Sequence, residues 1–106
     1  MPRTPPTIAV EPYVLDVLMR DCVGHDRQPA AFLVYLFLYG RAERAGWEPE
    51  PWSLRALAAE TGLSKSAVQS ALAALHRRGL VESRRPGPTA TPLRRVLRTW
   101  RRPEPA

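Results

Sequence analysis

Nine arginines crowd the end of the chain: Arg77, Arg78, Arg84, Arg85, Arg94, Arg95, Arg98, Arg101 and Arg102. From His76 onward only Glu82 and Glu104 oppose them, a local balance of +7, whereas seven bases and eight acids precede His76. A guanidinium offers a planar fork of N–H donors that fits an oxyanion at two points. A one-ended cationic field of this kind suits a polyanion.

Other residues have the type for chemistry but not the company. His25 beside Asp26 has the ingredients of a general base or a metal ligand, yet no third partner lies near in sequence. A solvated pair is expected there. His76 falls near a helix end, where a partly charged imidazole suits the helix dipole. Cys22 is the single cysteine, so it forms no disulfide within the chain and no cysteine-based zinc site. Trp47, Trp52 and Trp100 read as packing at element ends. Phosphate loop, nucleophile elbow and paired carboxylates are all missing from the sequence. The chain is therefore expected to be no enzyme and to hold no metal or cofactor, with no small-molecule ligand evident.

The elements that position these residues are marked off by proline. None of the twelve prolines lies between Ser53 and Arg85, and proline disrupts helix interiors. The first ten residues lack periodicity and are expected to form a flexible tail, with one domain over 11–100 and a C-terminal tail over 101–106. A first helix is expected over 12–22, with Pro12 at its first position and Val14, Leu15, Leu18 and Cys22 as its apolar stripe. Gly24 is the expected stop. A second helix over 29–45 is apolar nearly all round, as buried helices are. Phe32, Leu33, Leu36, Phe37 and Leu38 carry it, and Gly46 ends it. Gly40 weakens its interior. Residues 49–52 read as extended, with room for a short strand.

Residues 53–78 carry the clearest pattern. Ser53 caps a third helix running to Thr61, with Trp52 and Leu57 at the spacing of a hydrophobic staple. Leu54, Leu57 and Ala58 point inward, while Arg55 and Glu60 point out. Gly62 can take the left-handed conformation that turns the chain. Ser64 caps a fourth helix to about Arg78, and Leu63 with Val68 repeats the staple. Val68, Ala71, Leu72 and Leu75 form its inner face. Lys65, Ser66, Gln69, Ser70 and Ala73 form the outer one.

The run SLRALAAETGLSKSAVQSALAALHRRGL, residues 53–80, resembles the helix-turn-helix of bacterial winged-helix regulators, in particular the MarR-like and GntR-like DNA-binding units. The resemblance rests on Ala58 at the helix crossing, Gly62 four positions later, Val68 packing inward, and the ending Leu75, Gly79, Leu80, Val81. It implies a mainly α fold with a small β-hairpin: a winged helix-turn-helix with an additional N-terminal helix. The wing is expected over 80–100, with strands at 80–85 and 94–100 around a Pro86 to Pro92 loop.

The resemblance also implies double-stranded DNA as partner and transcription regulation as function. Gln69 is the first choice for a base contact, since its amide can bond adenine at two points. Lys65 would reach guanine or phosphate, and Ser66 and Ser70 phosphates or base edges. Arg77 and Arg78 would hold phosphates. Arg84, Arg85, Arg94 and Arg95 would bring the wing onto the backbone or minor groove. A homodimer is expected, with helix one or helix two supplying the partner surface. Replication initiation, plasmid maintenance and a protein-interaction adaptor are the alternatives. The longest apolar run is too short to span a membrane. No secretory leader is visible, and a cytoplasmic, nucleoid-associated protein is expected.

Overall fold

The computed structural model describes residues 5–101. Helix α1, residues 12–25, is wound as a π-helix over Val14–Leu18 and Arg20–His25. The Met19 N–H reaches back five residues to the Val14 carbonyl, and Asp26 likewise to Asp21. The remaining elements are α2 (Pro29–Ala45), β1 (Glu50–Pro51), α3 (Leu54–Thr61), α4 (Lys65–Arg77), β2 (Val81–Arg84) and β3 (Leu93–Val96). The three strands form an antiparallel sheet in the order β1-β3-β2.

The α1 stripe differs from expectation in two ways. The helix passes through Gly24 to His25. Val14, Leu18 and Cys22 are buried, but Leu15 is 47% exposed. With bonds reaching back five residues, positions four apart drift only slightly backward around the helix, so Val14, Leu18 and Cys22 stay inward together while Leu15 is carried away from them. Leu15, Met19 and Val23, one residue along from each, stay outside.

Helix α2 has the expected bounds, with Pro29 at its start and Gly46 in the left-handed region at its end. Phe32, Val34, Tyr35, Leu38 and Tyr39 enter the core, while Leu33 is 49% exposed. Gly40 has a packing reason. A Cβ built there would stand 3.4 Å from Ile8 Cδ1, so the missing side chain admits the segment before α1 against α2. Tyr35 donates its hydroxyl hydrogen bond to the Leu97 carbonyl at 2.9 Å, fixing α2 under the chain that leaves β3.

The helix-turn-helix forms from local signals. The Ser53 hydroxyl accepts from the Ala56 N–H at 3.0 Å, and the Ser64 hydroxyl from the Ala67 N–H at 3.1 Å. Each cap satisfies an N–H that the helix itself leaves without a partner. Gly62 takes φ +79°, a left-handed conformation that a side chain disfavours. Leu57, Val68 and Leu75 are fully buried where α3 and α4 meet the rest of the core.

The wing strands are shorter than expected. Val81–Arg84 pairs with Leu93–Val96, Ser83 opposite Arg94 and Glu82 opposite Arg95. The Leu97 N–H still bonds the Leu80 carbonyl at 2.9 Å; residues 98–100 leave the ladder, and Trp100 stacks on Tyr13, ring centroids 4.8 Å apart. Glu11 gathers this exit segment. Its carboxylate accepts from the Trp100 indole at 2.8 Å, lies 3.7 Å from Arg98, and pairs with Arg101. These bonds hold the Glu11 carboxyl below the usual carboxylate range, Arg101 being the main cause. Arg98 also sits over the Trp47 ring, 3.6 Å from its centroid. Two arginines read as part of a basic end are thereby tied to the N-terminal segment. Of the expected tails, residues 1–4 and 102–106, with Arg102, lie outside the described residues.

Candidate nucleic-acid interface

Helix α4 presents one uncovered polar side. Val68, Ala71, Leu72, Ala74 and Leu75 are buried, while Lys65, Ser66, Gln69, Ser70, Ala73, His76 and Arg77 are exposed. At 3.6 residues per turn, Lys65, Gln69 and His76 fall on one strip. Ser66, Ser70 and Arg77 fall on the next. Small and polar side chains along both strips leave the helix narrow enough to enter a groove.

Beside the first strip lies a cleft of about 460 Å³. Its walls are the first turn of α3, the outer face of α4 and the inner edge of the wing, and Lys65, Gln69, His76, Arg85 and Arg94 all line it. Arg55 lines it too. Its outward position on α3 was legible in the helical spacing, but its convergence with Lys65 and Gln69 follows only from the crossing of the helices.

The four wing arginines do not act as one cluster. Successive side chains of a strand point to opposite faces, so the hairpin divides them. Val81, Ser83, Arg94 and Val96 share the face toward the helices, as their pairing requires. Glu82, Arg84, Leu93 and Arg95 share the other face, and with Pro49 and Ser83 they line a separate pocket. Arg95 approaches Glu82 there at 3.8 Å, in an exposed pair. Arg85, just past β2, is exposed and borders the cleft beside α4.

Arg94 is only 8% exposed. Its Nε donates to the Trp52 carbonyl at 2.7 Å and its Nη1 to the Ser83 hydroxyl at 2.9 Å. Ser83 in turn lies 2.8 Å from His76 Nε2. A chain of hydrogen bonds therefore joins the start of α3, the wing and the last turn of α4. Burial, with Arg85 nearby, draws the Arg94 pKa below the ordinary arginine value.

His76 is held below its ordinary value of 6.5 by partial desolvation first and by Arg94 second. A proton on its ring is thus less welcome in the folded chain than in the unfolded one. Its contribution to stability is complete above about pH 6.5 and diminishes as pH falls below that. Urea midpoints should therefore be lower at pH 5 than at pH 7.5. His76→Gln should shrink the part of that difference owed to this ring, and an unchanged difference would contradict the assignment.

Arg78 is committed elsewhere. Both arms of its guanidinium reach the Asp26 carboxylate, joining the turn after α1 to the end of α4. This pair holds the Asp26 carboxyl well below its usual range. His25 also bonds Asp26, Nδ1 to Oδ1 at 2.9 Å. The His25–Asp26 pair therefore serves a structural ion pair. Arg77 lies with Arg78 on the flank of α4 away from the cleft, beside Asp26 and Gln28.

Four packed helices, the last two joined through the turn at Gly62, and a β-hairpin directly after the fourth helix define a winged helix-turn-helix. In agreement, residues 46–85 match the model of the IclR helix-turn-helix domain, a span from the turn after α2 to the end of β2. The matching model is that of a different family from the MarR-like and GntR-like groups that the sequence run resembles, and it covers the helix-turn-helix region rather than the whole chain. No curated protein and no solved structure matches the chain. Among the described residues, no helix is long and apolar enough to cross a membrane.

Proposed function

We propose that this chain binds double-stranded DNA in a sequence-dependent way, as a small transcriptional regulator acting on the nucleoid. Helix α4 enters the major groove, and the wing meets the backbone or the minor groove beside it. Gln69 reads a base, Lys65 reads guanine or holds a phosphate, and Ser66 and Ser70 contact phosphates or base edges. Arg77 holds a phosphate on the flank. The reading includes no catalytic step. The observation that carries it is the shared side: the polar face of α4 and Arg85 border one uncovered cleft.

The test is selection of duplexes from a random-sequence pool, followed by binding assays with the selected and scrambled duplexes. A selected duplex should bind far more tightly than a scrambled one, and Gln69→Ala should narrow that difference. Equal affinity for both would refute sequence-dependent binding.

The division of the wing arginines gives an uneven prediction. Each phosphate contact contributes about 0.9 to the slope of log affinity against log salt. Arg85→Ala should flatten that slope by about one such unit, equally for all sequences. Arg84→Ala, on the far face of the hairpin, should change it less. Equal effects would mean that both faces of the wing approach the DNA.

A homodimer completes the reading. Leu15, Met19 and Val23 on α1, with Leu33 early in α2, are 47%, 39%, 41% and 49% exposed. Leu15, Met19 and Val23, four residues apart, form an exposed apolar strip along α1, and such a strip marks a partner site. A two-fold pair would span half-sites about 34–36 Å apart or a multiple of that. Light scattering at micromolar concentration should report twice the chain mass, and Met19→Glu should halve it. A monomeric wild type would leave this surface to a different protein, as the adaptor alternative requires.

A further inference from the structure

Among the described residues, Arg94 is a buried cation that no carboxylate pairs with, although Glu50 stands opposite it on β1. Among the described residues it forms no ion pair, and the charged group bearing on it is Arg85, of the same sign. Its bonds to Trp52 and Ser83 use two of the five guanidinium N–H donors. Taking such a charge out of water is costly unless an opposite charge meets it. A purely structural tie between Trp52 and Ser83 needs two donors and no charge.

The surroundings point the same way. The cleft that Arg94 lines also receives Arg55, Lys65 and Arg85, with Gln69 and His76 as polar neighbours and no carboxylate in its wall. The first turn of α3 forms part of that wall, and a helix start carries partial positive charge. Four cations converging without an acid make a site for an anion with several acceptor oxygens. A phosphate has them, and a guanidinium pairs with it in two-point fashion.

We infer that this cleft is a phosphate site in which Arg94 meets the phosphate from below and Arg55, Lys65 and Arg85 close over it. In the complex the phosphate belongs to the DNA backbone, so this source rests on the DNA-binding reading above. The phosphate joins the chain from Trp52 through Arg94 and Ser83 to His76. Seating it fixes the wing against the recognition helix. Arg94 thus acts from the interior of the hairpin, unlike a contact at the wing tip.

The test uses the full chain and a duplex selected from a random pool. Single phosphates along each strand are replaced in turn by uncharged methylphosphonates. One replacement should cost wild type about tenfold or more in affinity, as the loss of a charged hydrogen bond does. Arg94→Gln should abolish the penalty at that position and leave the penalties at other positions intact. Arg84→Ala should keep it. If Arg94→Gln does not fold, the exposed Arg55→Ala and Arg85→Ala variants should each reduce the penalty at the same position.

A second arm titrates inorganic phosphate into the DNA-free protein and follows the Arg94 Nε–H and Ser83 N–H by NMR. A saturable shift that chloride does not reproduce, and that Arg94→Gln lacks, supports the site. That shift with no selectable duplex would keep the phosphate site but remove DNA as its source. That shift with identical methylphosphonate penalties in wild type and variant would likewise reject the DNA backbone. Identical penalties and no shift would overturn the inference while leaving DNA binding in place.

Discussion

Replacing Leu57 with alanine should lower the stability of the chain by about 2–5 kcal/mol, the range for emptying a well-packed leucine site. Leu57 is fully buried in α3 and belongs to the same core as Val68 and Leu75 of α4. A leucine removed there leaves a cavity that two capped helices cannot easily close, because each cap fixes its helix start. In a domain of this size, each kcal/mol corresponds to about 4–8 °C of melting temperature. The melting point should therefore fall by about 8 °C even at the low end of the range. Thermal unfolding followed by circular dichroism measures it. A loss under about 1 kcal/mol would mean that α3 is not anchored by this side chain. Well below the lowered melting point, DNA affinity should be little changed, since Leu57 does not reach the surface.

Ser70→Glu should do the opposite. Ser70 is exposed on the second strip of α4, between Ser66 and Arg77. Surface substitutions in a helix usually change stability by no more than about 0.5 kcal/mol, so the melting curve should stay in place. A carboxylate on the side proposed to face the groove, however, would meet the phosphates of the DNA. Like charges brought together at an interface cost several kcal/mol, so affinity for the selected duplex should drop by about a hundredfold or more. Affinity within threefold of wild type would mean that this strip of α4 faces away from the DNA. Ser70→Ala is the matched control. It removes one hydroxyl and should cost far less.

Together these two substitutions separate the inner face of the helix-turn-helix from its outer face. One should cost stability with the binding surface intact, and the other should cost binding with the fold intact. Both faces were legible in the sequence, because they are set by spacing along one helix. The caps at Ser53 and Ser64, the turn at Gly62 and the bounds of α2 were legible for the same reason. Each depends on bonds between residues three to five apart, and such bonds form wherever the local residues permit.

The site was less legible than the fold. Four arginines around one loop read as one cluster, yet the register Ser83 opposite Arg94 puts two faces between them. The alternation ending in Val96 held a hint of it, since residues two apart on a strand share a face and Val96 is apolar. Arg78 read as a phosphate contact, but Asp26, far away in sequence, takes its guanidinium. Leu15 read as core because an apolar stripe at helical spacing does not reveal how widely the helix is wound.

By itself the sequence determined where α2, α3 and α4 start and stop, which face of α4 is apolar, and that the cationic charge lies at one end. Tertiary structure alone decided which cations stay free. Glu11 with Arg98 and Arg101, Asp26 with Arg78, and Trp52 with Arg94 are pairings across long stretches of chain. Charge is a property of a residue, but its availability depends on what packing brings within a few ångströms, and nothing in a one-dimensional pattern measures that distance.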